Sequence, residues 1–158
     1  MTYSIEPIEP GSSVEALLSA NHLPTSDLKG GSRVMLFGCF TEAQLRGVVG
    51  LEIHGQVALL RSLAVPASAR SSGLGAALVA HAEQFAARQG VEAIYLLTTS
   101  AAGYFERHGY NHVPRQAAPP AIATTTQFSD LCPSSSAFMA KSVGDLQANQ
   151  AGSASRAG

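Results

Sequence analysis

The sequence predicts an α/β fold in which a mixed sheet carries helices on both faces, and three observations point to it. Short strand-like runs alternate with helical ones along the 158 residues, which favours a layered sheet over a bundle or a sandwich. One run, Val57 to Val65, is apolar at both alternating positions, as in a strand covered on both sides. With 46% of residues hydrophobic and 13% charged, the chain can bury the core of one ordinary domain.

Each element has its own signal. Ser4 to Ile8 reads as a first strand, and Ser12 or Ser13 caps a helix carrying Val14, Leu17 and Leu18 that Pro24 brings to an end. Arg33 to Phe40 and Leu45 to His54 read as strands joined by a turn at Thr41 to Gln44. Gly55-Gln56 suits a type II′ hairpin into Val57 to Val65, the central strand. From Gly73 to Gln89 the period becomes helical, with Leu74, Leu78, Ala82 and Phe85 on one stripe and Gly90 as the stop. Ala93 to Thr98 is a strand, Ser100 to His108 a short helix ended by Gly109, and Tyr110 to Val113 a further strand. Pro119 and Pro120 start a helix running to about Leu131, and Ala137 to Val143 closes the sheet. Residues 1–144 thus form one domain, and 145–158, without apolar periodicity, read as a disordered tail.

Charge and composition narrow the function. Ten Lys and Arg against eleven Asp and Glu give a net charge of −1, with no basic cluster to neutralise a phosphate backbone, so nucleic acid is not expected as a partner. No run approaches the roughly 20 apolar residues that span a bilayer, and no membrane partner is expected. The start of the chain shows no charged segment followed by an apolar one, and the two cysteines, Cys39 and Cys132, suit a reducing compartment; the expectation is a cytoplasmic protein.

The chemistry concentrates between the central strand and the long helix, where Arg70-Ser71-Ser72-Gly73-Leu74-Gly75 spans the junction. Glycine in a first helical turn costs up to about 1 kcal/mol relative to Ala, so two of them need a reason. One is a close approach by phosphate to bare N–H groups at a helix N-terminus; the other is a flexible turn with packing glycines. The stretch is neither a P-loop, which ends in Gly-Lys-Ser/Thr, nor a dinucleotide fingerprint, Gly-x-Gly-x-x-Gly.

Leu60-Arg61-Ser62-Leu63-Ala64-Val65, a short linker and Arg70-Ser71-Ser72-Gly73-Leu74-Gly75-Ala76 together resemble the acetyl-CoA-binding motif of the GNAT acetyltransferases. Ala102-Gly103-Tyr104-Phe105-Glu106-Arg107-His108-Gly109-Tyr110 is similar to the fourth helix of that family. More narrowly, Leu60–Val65 with Thr126-Gln127-Phe128-Ser129-Asp130-Leu131-Cys132-Pro133 resembles the ArsN-type members associated with arsenic-resistance operons. The resemblance implies a sheet splayed between strands 4 and 5, with Leu63, Ala64 and Val65 along the pantetheine arm. It implies that Arg70, Ser71, Ser72, Gly73, Leu74, Gly75 and Ala76 surround the pyrophosphate. It further implies direct attack of an amine on the thioester, with acetyl-CoA as co-substrate, no metal, a β4 backbone N–H for the oxyanion, and room for a homodimer. Many members carry a Tyr as general acid where this chain has Phe105; Tyr104 stands one place earlier, either as the acid or as a packing tyrosine with a solvated hydroxyl.

A two-residue turn at Gly55-Gln56 sets Glu52 and Arg61 as diagonal neighbours, with Gly50 opposite Arg61 leaving open space. Charges in apolar strands are costly unless paired or lining a cleft. Either the two form an ion pair that closes the hairpin, or they face substrate, Glu52 receiving the ammonium or its proton and Arg61 an anionic group. The acceptor is then a small amine, amino-acid-like in carrying an anion. His81 lies on the apolar stripe as a packing residue, and the other histidines lack ligand spacing. Thr124 to Gln127 either face substrate or bond locally. Two rival functions remain: a non-catalytic acyl-CoA-binding module, and a protein binding an arsenical through Cys39 or Cys132.

Overall fold

The computed structural model describes residues 3–9, 14, 16–18, 34–65, 73–98, 101–125 and 136–144. Seven strands form one mixed sheet in the order β1-β2-β3-β4-β5-β7-β6: β1 (Ser4–Ile8), β2 (Val34–Thr41), β3 (Gln44–His54), β4 (Val57–Ala64), β5 (Ala93–Thr98), β6 (Asn111–His112) and β7 (Ala137–Ser142). Neighbours β4 and β5 run parallel. The helices are α1 (Leu74–Arg88), α2 (Ala102–Arg107) and α3 (Pro120–Ala123), with a 3-10 turn at Arg115–Ala117. The expected mixed α/β architecture is present, but the last strand lies between β5 and β6, so β6 forms the margin. The expected tail at 145–158 lies outside the described residues.

Contacts divide the chain into two units, Met1–Glu52 with Leu60–Ala82, and Ile53–Leu59 with Glu83–Gly158. In the first, β1 and β2 pair antiparallel with Ser4 opposite Phe40 and Ile8 opposite Leu36. β2 and β3 pair with Leu36 opposite Gly50, and the register shifts between Cys39–Gly47 and Phe40–Leu45, leaving Arg46 as an extra residue on β3. Adjacent strand residues point to opposite faces, and both faces are used. Leu36, Val48 and Ala64 pack with Val14 and Leu18 of the helical residues 14 and 16–18. Phe37 instead meets His81 of α1 edge-on at 4.8 Å, so His81 is the packing residue the stripe implied. That double cover is why Leu36, Phe37, Val48, Val49 and Leu51 are all buried.

The turns carry their own signatures. Gly55 has φ +70 and Gln56 no positive φ, which agrees with the expected type II′ turn. Glu42 and Ala43, at φ 51 and 66, form the β2–β3 turn with two left-handed residues, the type I′ pattern that normally selects Asn and Gly.

In the second unit, β5 and β7 pair antiparallel from Ala93–Ser142 to Thr98–Ala137, and β6 pairs with β7 through Asn111–Ala140 and His112–Met139. Leu59, Ile122 and Phe138 form the core here, with Tyr95 stacked on Phe138 at 5.5 Å. α2 ends in a left-handed glycine, Gly109, at φ +92. The N–H of Gly109 donates to Glu106 and that of Tyr110 to Phe105, while the Phe105 and Tyr110 rings meet at 5.5 Å. This is the double bond and apolar contact of a Schellman end. The helix expected from Pro119–Pro120 to Leu131 is α3, which stops at Ala123. Thr124 and Thr125 turn their hydroxyls onto the carbonyls of Pro120 and Ile122, at 2.9 and 2.7 Å, local bonds that compete with further helix.

Candidate active site

The residues expected to hold a cofactor fall in the first unit. β4 is buried at Ala58, Leu59, Leu60, Arg61, Ser62 and Ala64, as its two-faced apolar pattern requires. It leads through half-buried Leu63 to Ala64 and Val65. Arg70, Ser71 and Ser72 lie outside the described residues, and the chain is described again from Gly73. Gly73 takes φ +83 with nothing within 4 Å of where a Cβ would stand. Its carbonyl accepts the first helical bond, from the Ala77 N–H at 3.1 Å. The amides of Leu74, Gly75 and Ala76 therefore precede the intrahelical ladder at the positive end of a 15-residue helix. No acidic residue occupies that first turn. β3 closes beneath: a Cβ on Gly47 would stand 2.8 Å from Leu78 Cδ1 and 3.3 Å from Val65 Cγ2. Gly47 thus lets the end of β4 and the second turn of α1 approach the same point of β3.

Glu52 and Arg61 are brought together. Arg61 Nη1 donates to Glu52 Oε2 at 3.1 Å, with side-chain exposures of 1% and 10% respectively. Arg61 Nε donates to Ser62 Oγ at 3.0 Å. Gly50 does not leave open space there: a Cβ on it would stand 3.3 Å from Arg61 Cγ and 3.1 Å from Val34 Cγ1. The glycine lets Arg61 lie flat against β3. Ser62 carries a feature that composition does not reveal, φ +58 in the middle of a strand and in a buried residue. Such a conformation costs of order 1–3 kcal/mol for a non-glycine and persists only where its surroundings impose it.

Side-chain facing gives the consequence. Gly50 pairs with Leu36 and Glu52 with Val34, so Gly50, Glu52 and the Arg61 that touches both belong to the face covered by Val14 and Leu18. Ala64 packs on that same face, although it stands three positions after Arg61. An odd separation in a regular strand would put the two on opposite faces. The left-handed Ser62 accounts for the reversal, as an extra residue does in a bulge.

In the second unit Tyr104 is half-buried on α2, its ring 4.5 Å from that of His108. Its hydroxyl is not solvated, contrary to one of the two readings of the sequence: the oxygen is buried and has no hydrogen-bond partner among the described residues. Burial pushes its pKa up, partly offset by the Arg107 charge, so it carries its proton at neutral pH. Phe105 is buried in the helix end described above. A second polar centre lies outside the expected residues. Glu83, buried on α1, accepts from the Tyr110 hydroxyl at 3.0 Å and from Lys141 Nζ at 3.1 and 3.2 Å. Cys39 is fully buried and its thiol pKa is raised by burial; Cys132 lies outside the described residues.

Residues 7–110 match the model of the acetyltransferase (GNAT) family. No curated protein matches the chain. Among solved structures, N-acetylglutamate synthase from Neisseria gonorrhoeae, complexed with coenzyme A and N-acetyl-glutamate, superposes with a TM-score of 0.74 at 17% identity, over 90% of this chain and 35% of that one. This chain therefore spans about a third of that protein's length. The ribosomal-protein-S18-alanine N-acetyltransferase from Escherichia coli gives 0.62 at 18% identity, over 90% and 94%. The PaiA N-acetyltransferase from Thermoplasma acidophilum, in complex with coenzyme A, gives 0.62 at 13% identity, over 90% and 99%. At these identities the likeness is one of fold.

Proposed function

Because the chain belongs to the GNAT family of acetyltransferases, we propose that it moves the acetyl group of acetyl-CoA to the amine of a small molecule. The observation that carries this reading is the N-terminus of α1. A left-handed glycine, with no described residue within 4 Å of where its Cβ would stand, and three amides ahead of the ladder, with no acid in the first turn, suit a diphosphate. In this reading Arg70, Ser71, Ser72, Gly73, Leu74, Gly75 and Ala76 surround the pyrophosphate, and the pantetheine arm runs along Leu63, Ala64 and Val65.

The reaction is a direct displacement. The amine nitrogen attacks the thioester carbonyl, the developing oxyanion is met by a β4 backbone N–H, and the carbon–sulfur bond breaks to leave acetamide and thiolate. Glu52 receives the ammonium and takes its proton, directly or through water, because it is the less deeply buried partner of its ion pair. Arg61, at 1% exposure and committed to Glu52 and Ser62, orients that carboxylate from behind; this replaces the anion-binding role its charge suggested. Tyr104 remains the sequence's candidate for protonating the departing sulfur, a chemistry supported by its protonated state and by a hydroxyl without a partner among the described residues. The acceptor is a small amine; with Arg61 committed to Glu52 and Ser62, the expected anionic group on it has no partner assigned. The two cysteines suit a reducing cytoplasm.

Coenzyme A release with a panel of small amines tests the proposal. Amine-dependent release is expected, and tight acetyl-CoA binding without it would favour a non-catalytic acyl-CoA-binding module, the reading that Phe105 at the acid position supports. Glu52→Gln should cut turnover about a hundredfold while the KM for acetyl-CoA changes less than about twofold; unchanged turnover removes Glu52 from the chemistry. The finer ArsN-type likeness rests on Leu60–Val65 and on residues 126–133, which lie outside the described residues. Direct arsenical capture by Cys39 is disfavoured by its burial and its raised pKa.

A further inference from the structure

We propose that Arg115 and Ser136 form an oxoanion-binding pair, and that this pair holds the anionic group of the acceptor, which Arg61 does not. The inference rests on the acyl-transfer reading and deepens it by naming the residues that select the acceptor's charge.

Two buried side-chain polar atoms lack a hydrogen-bond partner among the described residues, Tyr104 Oη and Ser136 Oγ. Both belong to segments tied to the carboxyl end of β5. Thr98, the last residue of that strand, pairs with Ala137, the neighbour of Ser136. The Thr98 Oγ1 accepts from the N–H of Ala101 at 2.9 Å, and Ala101 leads into the helix that carries Tyr104. Ligands of open α/β sheets gather outside the carboxyl ends of strands, and buried polar groups are otherwise almost always matched. An orphaned hydroxyl in a residue only 6% exposed is explained there by a partner that arrives with the ligand.

Arg115 supplies the charge beside it. β6 and β7 pair Asn111 with Ala140 and His112 with Met139. The register carries on past β6: the Val113 N–H donates to the Phe138 carbonyl at 2.9 Å, and Arg115 Nη2 to that of Ser136 at 3.3 Å. Arg115 and Ser136 thus stand opposite each other, two positions beyond Val113 and Phe138, which pack in the apolar cluster of this unit. Side chains two apart share a face, so a half-buried guanidinium and a buried hydroxyl lie together at the margin of an apolar core. Both groups can donate. A planar guanidinium next to an O–H matches the oxygens of a carboxylate, phosphinate or phosphonate, and a neutral amide or ester in the same place makes the weaker bond.

Coenzyme A release is measured with L-amino acids and aminoalkyl phosphonates, each beside its neutral amide or ester, for wild type, Ser136→Ala and Arg115→Gln. Wild type should favour the anionic member of a pair by about tenfold or more in kcat/KM, and each variant should lose about tenfold with the anionic amine. The loss with the neutral amine, and the change in KM for acetyl-CoA, should stay below about threefold. Melting curves separate binding from scaffolding, because removing an unmatched hydroxyl leaves the Tm of Ser136→Ala at or above that of wild type. A Tm more than about 4 °C lower would mean that Oγ is bonded within the protein, and it overturns the proposal. So does an equal loss with anionic and neutral amines, or no loss at all. Should Arg115→Gln fail to fold, Ser136→Ala decides alone. Wild type that works on anionic and neutral amines alike sinks the pair and leaves the transfer reaction standing; wild type without amine-dependent release sinks the proposed function and the pair with it.

Discussion

Glu83 is a carboxylate among the buried residues of α1, and it is tolerated there because Tyr110 and Lys141 both donate to it. The helical period identified Leu74, Leu78, Ala82 and Phe85 as one stripe, but Glu83 belongs to a second buried row with Val79, Ala86 and Ala87. A lone Glu in an alanine-rich helix looks solvent-facing until the partners from Gly109–Tyr110 and β7 are placed, which no local pattern supplies. Its consequence is testable through pH. Burial, and then the Glu83 charge, push the Tyr110 pKa far above its ordinary 10.0. A folded value above the unfolded one means stability that is present below pH 10 and falls as pH rises past it, by up to about 1.4 kcal/mol per pH unit for this group. Urea midpoints measured from pH 8 to 11 should show that decline, and Tyr110→Phe should flatten it after an initial loss of about 1–3 kcal/mol from the unmatched carboxylate. A decline identical in the variant would assign it to other groups.

The two hairpins of the first four strands differ in how openly they announce themselves. Gly55-Gln56 is a recognisable turn pair, and the boundaries His54 and Val57 follow from it. Glu42-Ala43 contains neither Gly nor Asn, so the sequence placed the turn across Thr41 to Gln44 and shortened each strand by a residue. Two non-glycines at φ 51 and 66 are held by the flanking strands rather than by their own preference. Ala43→Gly should therefore raise stability by about 0.5–1 kcal/mol, the relief of strain exceeding the added unfolded-state entropy; a thermal or urea melt that shows a loss instead would mean the turn is not strained. The start of α3 was similarly visible in Pro119-Pro120, while its end was not, because the threonines that stop it look compatible with a helix until their hydroxyls turn back. At Ser62 the limit is sharper: a side chain can be read from a sequence, a sign of φ cannot.

For the molecule as a whole, the fold and the glycine-marked start of α1 were legible because glycines, a strand and a helix start lie next to one another in the chain. The pairing of Glu52 with Arg61 was legible through a two-residue turn, yet the bond from Arg61 to Ser62 was not, since it depends on which face each residue occupies. If α1 and β4 hold coenzyme A as proposed, saturation at a hundred times Kd should add about 2.7 kcal/mol of stability. For 158 residues that is a rise in Tm of roughly 5–10 °C, measurable by scanning fluorimetry; no shift would argue against a specific complex. Strand order has a further effect, on synthesis. β6 adjoins only β7, and β5 shares its outer side with the same strand, so a ribosome must deliver Ser142 before either margin can be satisfied. Nascent chains halted between His112 and that residue carry two open hydrogen-bonding rims, and premature termination there should yield insoluble product rather than a smaller working protein.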